Sequence, residues 1–413
     1  MDNSILYWIW LSQRVRIGPR GQRRLLEQFG SPQALFAAPE TALRRAGLSP
    51  ALLRTLLDRD LSPARDILDR CRQLGIRVLT LGDRDYPTRL RLLEDAPALL
   101  YCRGQLPPED RPVVGLVGSR EADDRGLEAA LRLGREIAAC GGRVATGMAR
   151  GIDAQGALGA LEQGGQVIGV LGGGVDVVYP KENAALFARV PEQGCLVSEY
   201  PPGTAPNARN FPVRNRLISA LSDGVAVVRA REQSGALITA RRAAEQGREL
   251  FAVPGDPADP GSRGCNALLR EGALAVESGW DILRHYEYRY PGAVRMQNVK
   301  RKTQNEAVVT VRGSVPDAPQ ASSSCRAGKN AAPDDRRDGT LPSVSPKVNV
   351  DFSGLSPLQR QILEALSGGP MQLDALIDRL GLPASQVLTQ LTLLQIKHII
   401  TQRPGKLYEL SGG

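Results

Sequence analysis

Four strings in this sequence have residue types and spacing that could do chemistry. Gly118-Ser119-Arg120, Thr146-Gly147-Met148-Ala149-Arg150-Gly151 and Gly172-Gly173-Gly174-Val175-Asp176 place small residues beside charged ones, and the last leads into Tyr179-Pro180-Lys181. Gly-rich turns let backbone N–H groups approach anionic oxygens, and a helix N-terminus adds partial positive charge. The fourth string, Phe211-Pro212-Val213-Arg214-Asn215-Arg216, is preceded by Arg209 and sets three arginines around one ring. Cations flanking an aromatic face can hold phosphates while a base stacks, at about 1–3 kcal/mol per stacked base. Ser234-Gly235 opens a helical stretch and could receive an anion or simply cap it.

Each feature also has a plain structural explanation. Glycine is needed wherever a strand turns sharply into a helix. Phe211 could plug a core while the arginines form surface ion pairs, and Asp153 at a helix start is a cap more readily than a base. No G-x-G-x-x-G fingerprint and no P-loop occurs, which argues against NAD and ATP and leaves no cofactor expected. The histidines are His285 and His398, which excludes a His-rich metal site and a histidine-dependent triad in the central region. Six cysteines, at 71, 102, 140, 195, 265 and 325, form no C-x-x-C pair and fit reduced structural thiols in the cytoplasm. No metal and no catalytic residue is expected.

Elements must position these strings. From Val113 to about Ala275 short apolar runs alternate with helical stretches: Val113–Val117, Val144–Thr146, Val167–Leu171, Cys195–Ser198, Val225–Val228 and Leu250–Val253. Near-continuous Val/Ile/Leu strands separated by helices indicate a parallel sheet covered on both faces, here a Rossmann-like doubly wound α/β domain. Such sheets bind ligands beyond the carboxyl ends of their strands, where the glycine strings fall. Residues 1–80 read as helices. In them, Gly18-Pro19 before an amphipathic stretch that stops at Gly30 resembles a SAM or helix-hairpin-helix module. The boundaries are 1–80 helical, 81–290 Rossmann-like, 291–352 a flexible linker without periodicity, and 353–413 a winged helix. That last domain has helices at 357–366, 372–380 and 383–395 and two strands around Arg403-Pro404-Gly405.

The 413 residues are long enough for two or three full cores, at roughly 150 residues per domain, and the apolar run Ile5–Leu11 is too short to span a bilayer. The formal charge of +9 rests on 46 arginines and seven lysines. It is uneven: residues 1–80 carry 13 basic and 7 acidic side chains, whereas 113–290 carry 20 and 21. An anion site in the central domain must therefore come from local arrangement rather than overall charge.

Taken together, the strings resemble the DNA processing protein A (DprA, or Smf) family. The matching blocks are Val117–Arg120, Gly151-Ile152-Asp153, Val170–Asp176 with Tyr179-Pro180, Ser198-Glu199, Phe211–Arg216, Ser234–Ala240 and Phe251–Gly255. The resemblance implies a single-stranded DNA-binding recombination mediator without catalysis. It would act as a homodimer that shields incoming strands and loads the RecA recombinase during natural transformation. It also implies phosphate contact at Arg120, and phosphate contact and base stacking at Arg209 and Phe211. Arg214 and Arg216 would complete a basic pocket, with Gly118, Ser119, Gly147, Arg150, Gly151, Gly172, Gly173, Gly174, Lys181, Asn215, Ser234 and Gly235 around it. The chain departs from the family at Met148, in a turn that is usually glycine, and at Ala157, where a histidine is common.

Two other functions compete. A nucleotide phosphoribohydrolase would need Pro-Gly-Gly-x-Gly-Thr and an Arg/Glu pair, and this chain has Pro254-Gly255-Asp256. A duplex-reading regulator would use the third winged helix, 383–395, which holds no Lys or Arg and so points to protein contact or regulation instead.

Overall fold

The computed structural model describes residues 4–14, 16–296, 357–381, 387, 390–391, 394–395, 399–403 and 407–410. The chain divides into two compact units, residues 1–309 and 310–413. Among the described residues no helix is long and apolar enough to cross a membrane, and the five described cysteines are free and buried.

The first unit is built on a nine-stranded sheet. Its strands are β1 (Arg77–Thr80), β2 (Leu99–Gly104), β3 (Val113–Val117), β4 (Arg143–Thr146), β5 (Val167–Val170), β6 (Cys195–Ser198), β7 (Gly224–Val227), β8 (Glu249–Ala252) and β9 (Leu274–Ala275). They lie in the order β1-β2-β6-β5-β4-β3-β7-β8-β9. From β6 to β9 all neighbours are parallel. Every residue of β3 to β7 is buried, as a sheet covered on both faces requires, and this is why those strands read as unbroken apolar runs. The chain steps outward from β3 to β6, then returns to the other side of β3 to lay down β7 and β8. That reversal puts a crevice at the carboxyl ends of β3 and β7, where open α/β sheets bind ligands.

One edge differs from expectation. Arg77–Thr80 is a strand rather than helix, and β1 and β2 extend the sheet antiparallel beyond β6. Helix Gly18–Phe29 does begin at the Gly-Pro step, and Gly30 ends it by donating its N–H to Leu26 O at 2.8 Å. Helix Ser4–Ser12 packs on β1 and β2, so Ile9 and Trp10 share one continuous core with Val78, Leu99 and Tyr101.

Helices Asp124–Ala139 and Ile152–Glu162 cross closely on one sheet face. A Cβ at Gly134 would stand 2.1 Å from Gly156 O. Gly134→Ala therefore forces the helices apart; overpacking of about 1–3 kcal/mol lowers Tm by roughly 2–12 °C in a thermal melt.

The second unit has helices Pro357–Leu366 and Leu373–Leu380 against a three-stranded sheet of Met371–Gln372, Ile400–Arg403 and Leu407–Leu410. Ile362, Leu376, Leu394 and Tyr408 lie in its core. The linker from 297 onward, the capping Ser356, the start of the third helix and the turn at 404–406 lie outside the described residues.

Candidate nucleic-acid interface

A cleft of about 720 Å³ opens at the β3/β7 reversal. Gly118, Ser119, Arg120, Phe211, Arg214, Asn215, Ser234 and Gly235 all line it, so strings more than 110 residues apart in sequence meet there. Gly118 is required by packing: any Cβ would meet Ile152 Cγ1 at 2.6 Å, where the β3 loop lies on the start of helix Ile152–Glu162. Ser119 Oγ accepts from Glu121 N–H at 3.1 Å, which shapes the turn that carries the exposed Arg120. Ser234 caps helix Gly235–Glu245 by accepting from Ala236 N–H at 3.3 Å.

The aromatic element is a pair rather than a single ring. Phe211, half-buried at the start of helix Asn210–Leu221, stacks on Tyr179 with centroids 5.7 Å apart and planes 26° from parallel. The Arg120 guanidinium lies 5.2 Å from the Phe211 centroid and that of Arg214 5.9 Å. Tyr179 is 47% exposed and lines the cleft, so it carries the accessible aromatic surface. Tyr179 is not among the site residues expected from the sequence; its place after the third glycine string is the signal that marks it.

The arginines of the fourth string separate into two roles. Arg209 is exposed at the helix start. Arg214 is 3% exposed, and its Nη1 donates to Gly147 O at 2.8 Å and to Val170 O. Beside it Asp153 Oδ2 accepts from Gly147 N–H at 3.0 Å. Burial pushes the Arg214 guanidinium down to about 10, against the attraction of Asp153, and pushes the Asp153 carboxyl up, against the attraction of Arg214. Arg214 thus forms the floor of the cleft, bracing the turn after β4. Arg216 does not reach the cleft. Its Nη2 donates to Glu199 Oε2 at 2.7 Å and its Nε lies 3.3 Å from Asp95 Oδ2, with 7% of the side chain exposed. The basic pocket expected from Arg214 and Arg216 is therefore replaced by two buried arginines beneath the surface, Arg214 bonded to backbone carbonyls beside Asp153 and Arg216 ion-paired with Glu199 and Asp95.

The glycine strings likewise split. Gly147 is buried against Arg214 and Asp153. Gly172, Gly173 and Gly174 are buried too: a Cβ on Gly172 would meet the Phe211 ring at 3.0 Å, and the other two pack on the 201–206 loop. They let loops close on one another and present no open backbone to a ligand. Asp176 holds the same junction, accepting from Gly203 N–H at 2.7 Å and pairing with Arg70 at 2.8 Å. Gly151, with φ +77°, packs on Ser119 O. Arg150 and Lys181 are exposed but lie outside the cleft lining, and Arg150 stands 3.9 Å from Glu182.

A family model described as DNA recombination-mediator protein A matches residues 77–287, and a DprA winged helix domain model matches 352–406. The chain belongs to the DprA family of recombination mediators. It is similar to Protein Smf of Synechocystis sp., 29% identical over 421 residues and 98% of each chain. It is also similar to DNA processing protein DprA of Bacillus subtilis, 38% identical over 231 residues, 54% of this chain and 78% of that one. The X-ray structure of DprA from Streptococcus pneumoniae superposes with a TM-score of 0.60 and 32% identity, covering 68% of this chain and 97% of that one.

The two departures from the DprA pattern have local accommodations. Met148 has φ +57°, a left-handed conformation that costs an L-residue roughly 1–2 kcal/mol. Its side chain turns fully inward beneath Gly169, away from the cleft, and Asn183 Nδ2 holds the turn by donating to Met148 O at 3.0 Å. Ala157 is fully buried in its helix.

Proposed function

We propose that this DprA-family chain is a cytoplasmic, non-catalytic homodimer that binds single-stranded DNA, shields it and loads RecA on it during natural transformation. The observation that carries the binding reading is the cleft itself. It joins an accessible aromatic stack to Arg120, with the exposed Arg209 on the adjoining loop. Stacking plus phosphate-pairing cations suits a flexible strand whose bases are unpaired. Binding rather than catalysis is supported by the carboxylates at the strand ends, which are already engaged. Asp153 serves the Gly147 turn, Asp176 the Gly203 loop and Glu199 its ion pair with Arg216. The dimer, RecA and transformation rest on family membership.

Fluorescence anisotropy of labelled oligothymidylate against a matched duplex, across a salt series, tests the reading. Preference for the single strand with affinity falling as salt rises is the expected result. Arg120→Ala and Arg209→Ala each remove one phosphate contact, and each lowers the slope of log affinity on log salt by about 0.7. Equal affinity for both forms, or free base released from a nucleoside monophosphate, would overturn it.

A further inference from the structure

Helix Ser62–Gln73 of the N-terminal module brings Arg70 to the loops behind the cleft. Its mounting is firm: Leu68 and Cys71 are buried in the same core as Ile9, Trp10, Val78 and Tyr101. Arg70 stands on the solvent side of that helix, 53% exposed, and its Nη2 donates to Asp176 Oδ2 at 2.8 Å. Asp176 is only 12% exposed, and its other oxygen accepts from Gly203 N–H at 2.7 Å. Gly203 has φ +83°, and a Cβ there would stand 3.0 Å from the guanidinium carbon of Arg70. The backbone of the 201–206 loop therefore lies directly on that cation.

Both arms of this junction lead into the cleft. On one, Val177 N–H donates to Gly174 O at 3.0 Å, and the chain runs on to Tyr179, which stacks on Phe211. On the other, Gly174 N–H donates to Thr204 O at 2.9 Å, and Pro206 and Ala208 line the cleft. Asn207 Oδ1 then accepts from Arg209 N–H at 2.9 Å, and Asn210 Nδ2 donates to Gly172 O at 2.9 Å. The aromatic platform and the loop that carries Arg209 are thus tied to one carboxylate, and a cation from a different module holds that carboxylate.

We propose that Arg70 is a positioning residue for strand binding: through the Arg70–Asp176 pair, the helical module holds the Tyr179 and 201–210 walls of the cleft in their binding arrangement. The proposal rests on the single-strand reading of that cleft. The sign of one substitution separates this role from direct phosphate contact by Arg70. Asp176→Asn keeps an oxygen for Gly203 N–H and removes a negative charge beside the path of a polyanion. On charge alone it tightens binding. If Asp176 works by holding Arg70, it weakens binding.

Anisotropy of labelled oligothymidylate with the full chain makes the test. R70A and D176N should each weaken binding about two- to fivefold, the scale an exposed ion pair can supply. R70K, which keeps a cation beside Asp176, should recover most of the loss. R70A/D176N should bind no more weakly than D176N alone, because partners in contact couple. Arg70 is exposed, so its replacement leaves the core intact, and parent-like binding by R70A refutes the proposal while the cleft stands. D176N binding as tightly as the parent, or an equal cost of R70A in the parent and in D176N, refutes it as well. If the parent shows no binding to the oligomer, the single-strand reading falls and the proposal with it.

Discussion

Phe211→Ala should weaken oligothymidylate binding by about tenfold to a hundredfold, the loss of one stacked base at about 1–3 kcal/mol. Tyr179→Ala should cost a comparable amount, although no phosphate contact is touched. The two rings form one stack, 5.7 Å apart, with Tyr179 the more open member. Removing Tyr179 strips the platform; removing Phe211 takes away the ring that holds Tyr179 in place and that Arg120 covers. The double variant should therefore lose less than the product of the single losses, since residues in contact couple. Tyr179→Phe should bind as the parent does, because the ring and not the hydroxyl is used. Salt slopes should stay at the parent value in all four, which distinguishes lost stacking from lost phosphate contact. Parent-like affinity in the double variant would place the base-binding surface elsewhere.

How much of this was legible in the sequence depends on whether the cause was local. Strands β3 to β8 announced themselves, because burial on both faces forces consecutive apolar residues. Arg77–Thr80 did not: it is four residues long with its first residue exposed, and its partner Leu99–Gly104 lies twenty residues on, so nothing local marks the pairing. The fourth string reads in sequence as a ring surrounded by cations, yet it is the first turns of helix Asn210–Leu221. Helical geometry puts residues three apart on one face, so Arg214 comes under Phe211 while Arg216 turns toward Glu199 and Asp95. Pro212 near the start of that helix was the available clue. The glycines misled for a different reason. Gly172, Gly173 and Gly174 are small because the Phe211 ring and the 201–206 loop lie on them, a tertiary contact that no local pattern encodes.

Arg214 is a brace rather than a ligand, and its loss should have the largest effect on stability. Arg214→Ala removes the cation facing the buried Asp153 and deletes the donors to Gly147 O and Val170 O. Leaving a buried carboxylate without its neighbouring cation costs about 3–5 kcal/mol, or roughly 6–20 °C in Tm for a domain this size. Arg214→Lys should rescue little, since a single ammonium cannot reproduce the guanidinium's fork. Asp153→Ala combined with Arg214→Ala should recover part of the loss, because the uncompensated carboxylate is then gone. Acidity supplies the sign test. Burial already holds the folded-state Asp153 carboxyl above its ordinary range, and losing Arg214 raises it further. A group raised in the folded state contributes stability below its unfolded value and loses it as pH rises through the folded one. The deficit of Arg214→Ala relative to the parent should therefore be smallest near the ordinary carboxylate range and grow toward neutral pH. Were Arg214 instead a phosphate ligand facing solvent, the variant would melt with the parent at every pH and show its defect in DNA affinity alone.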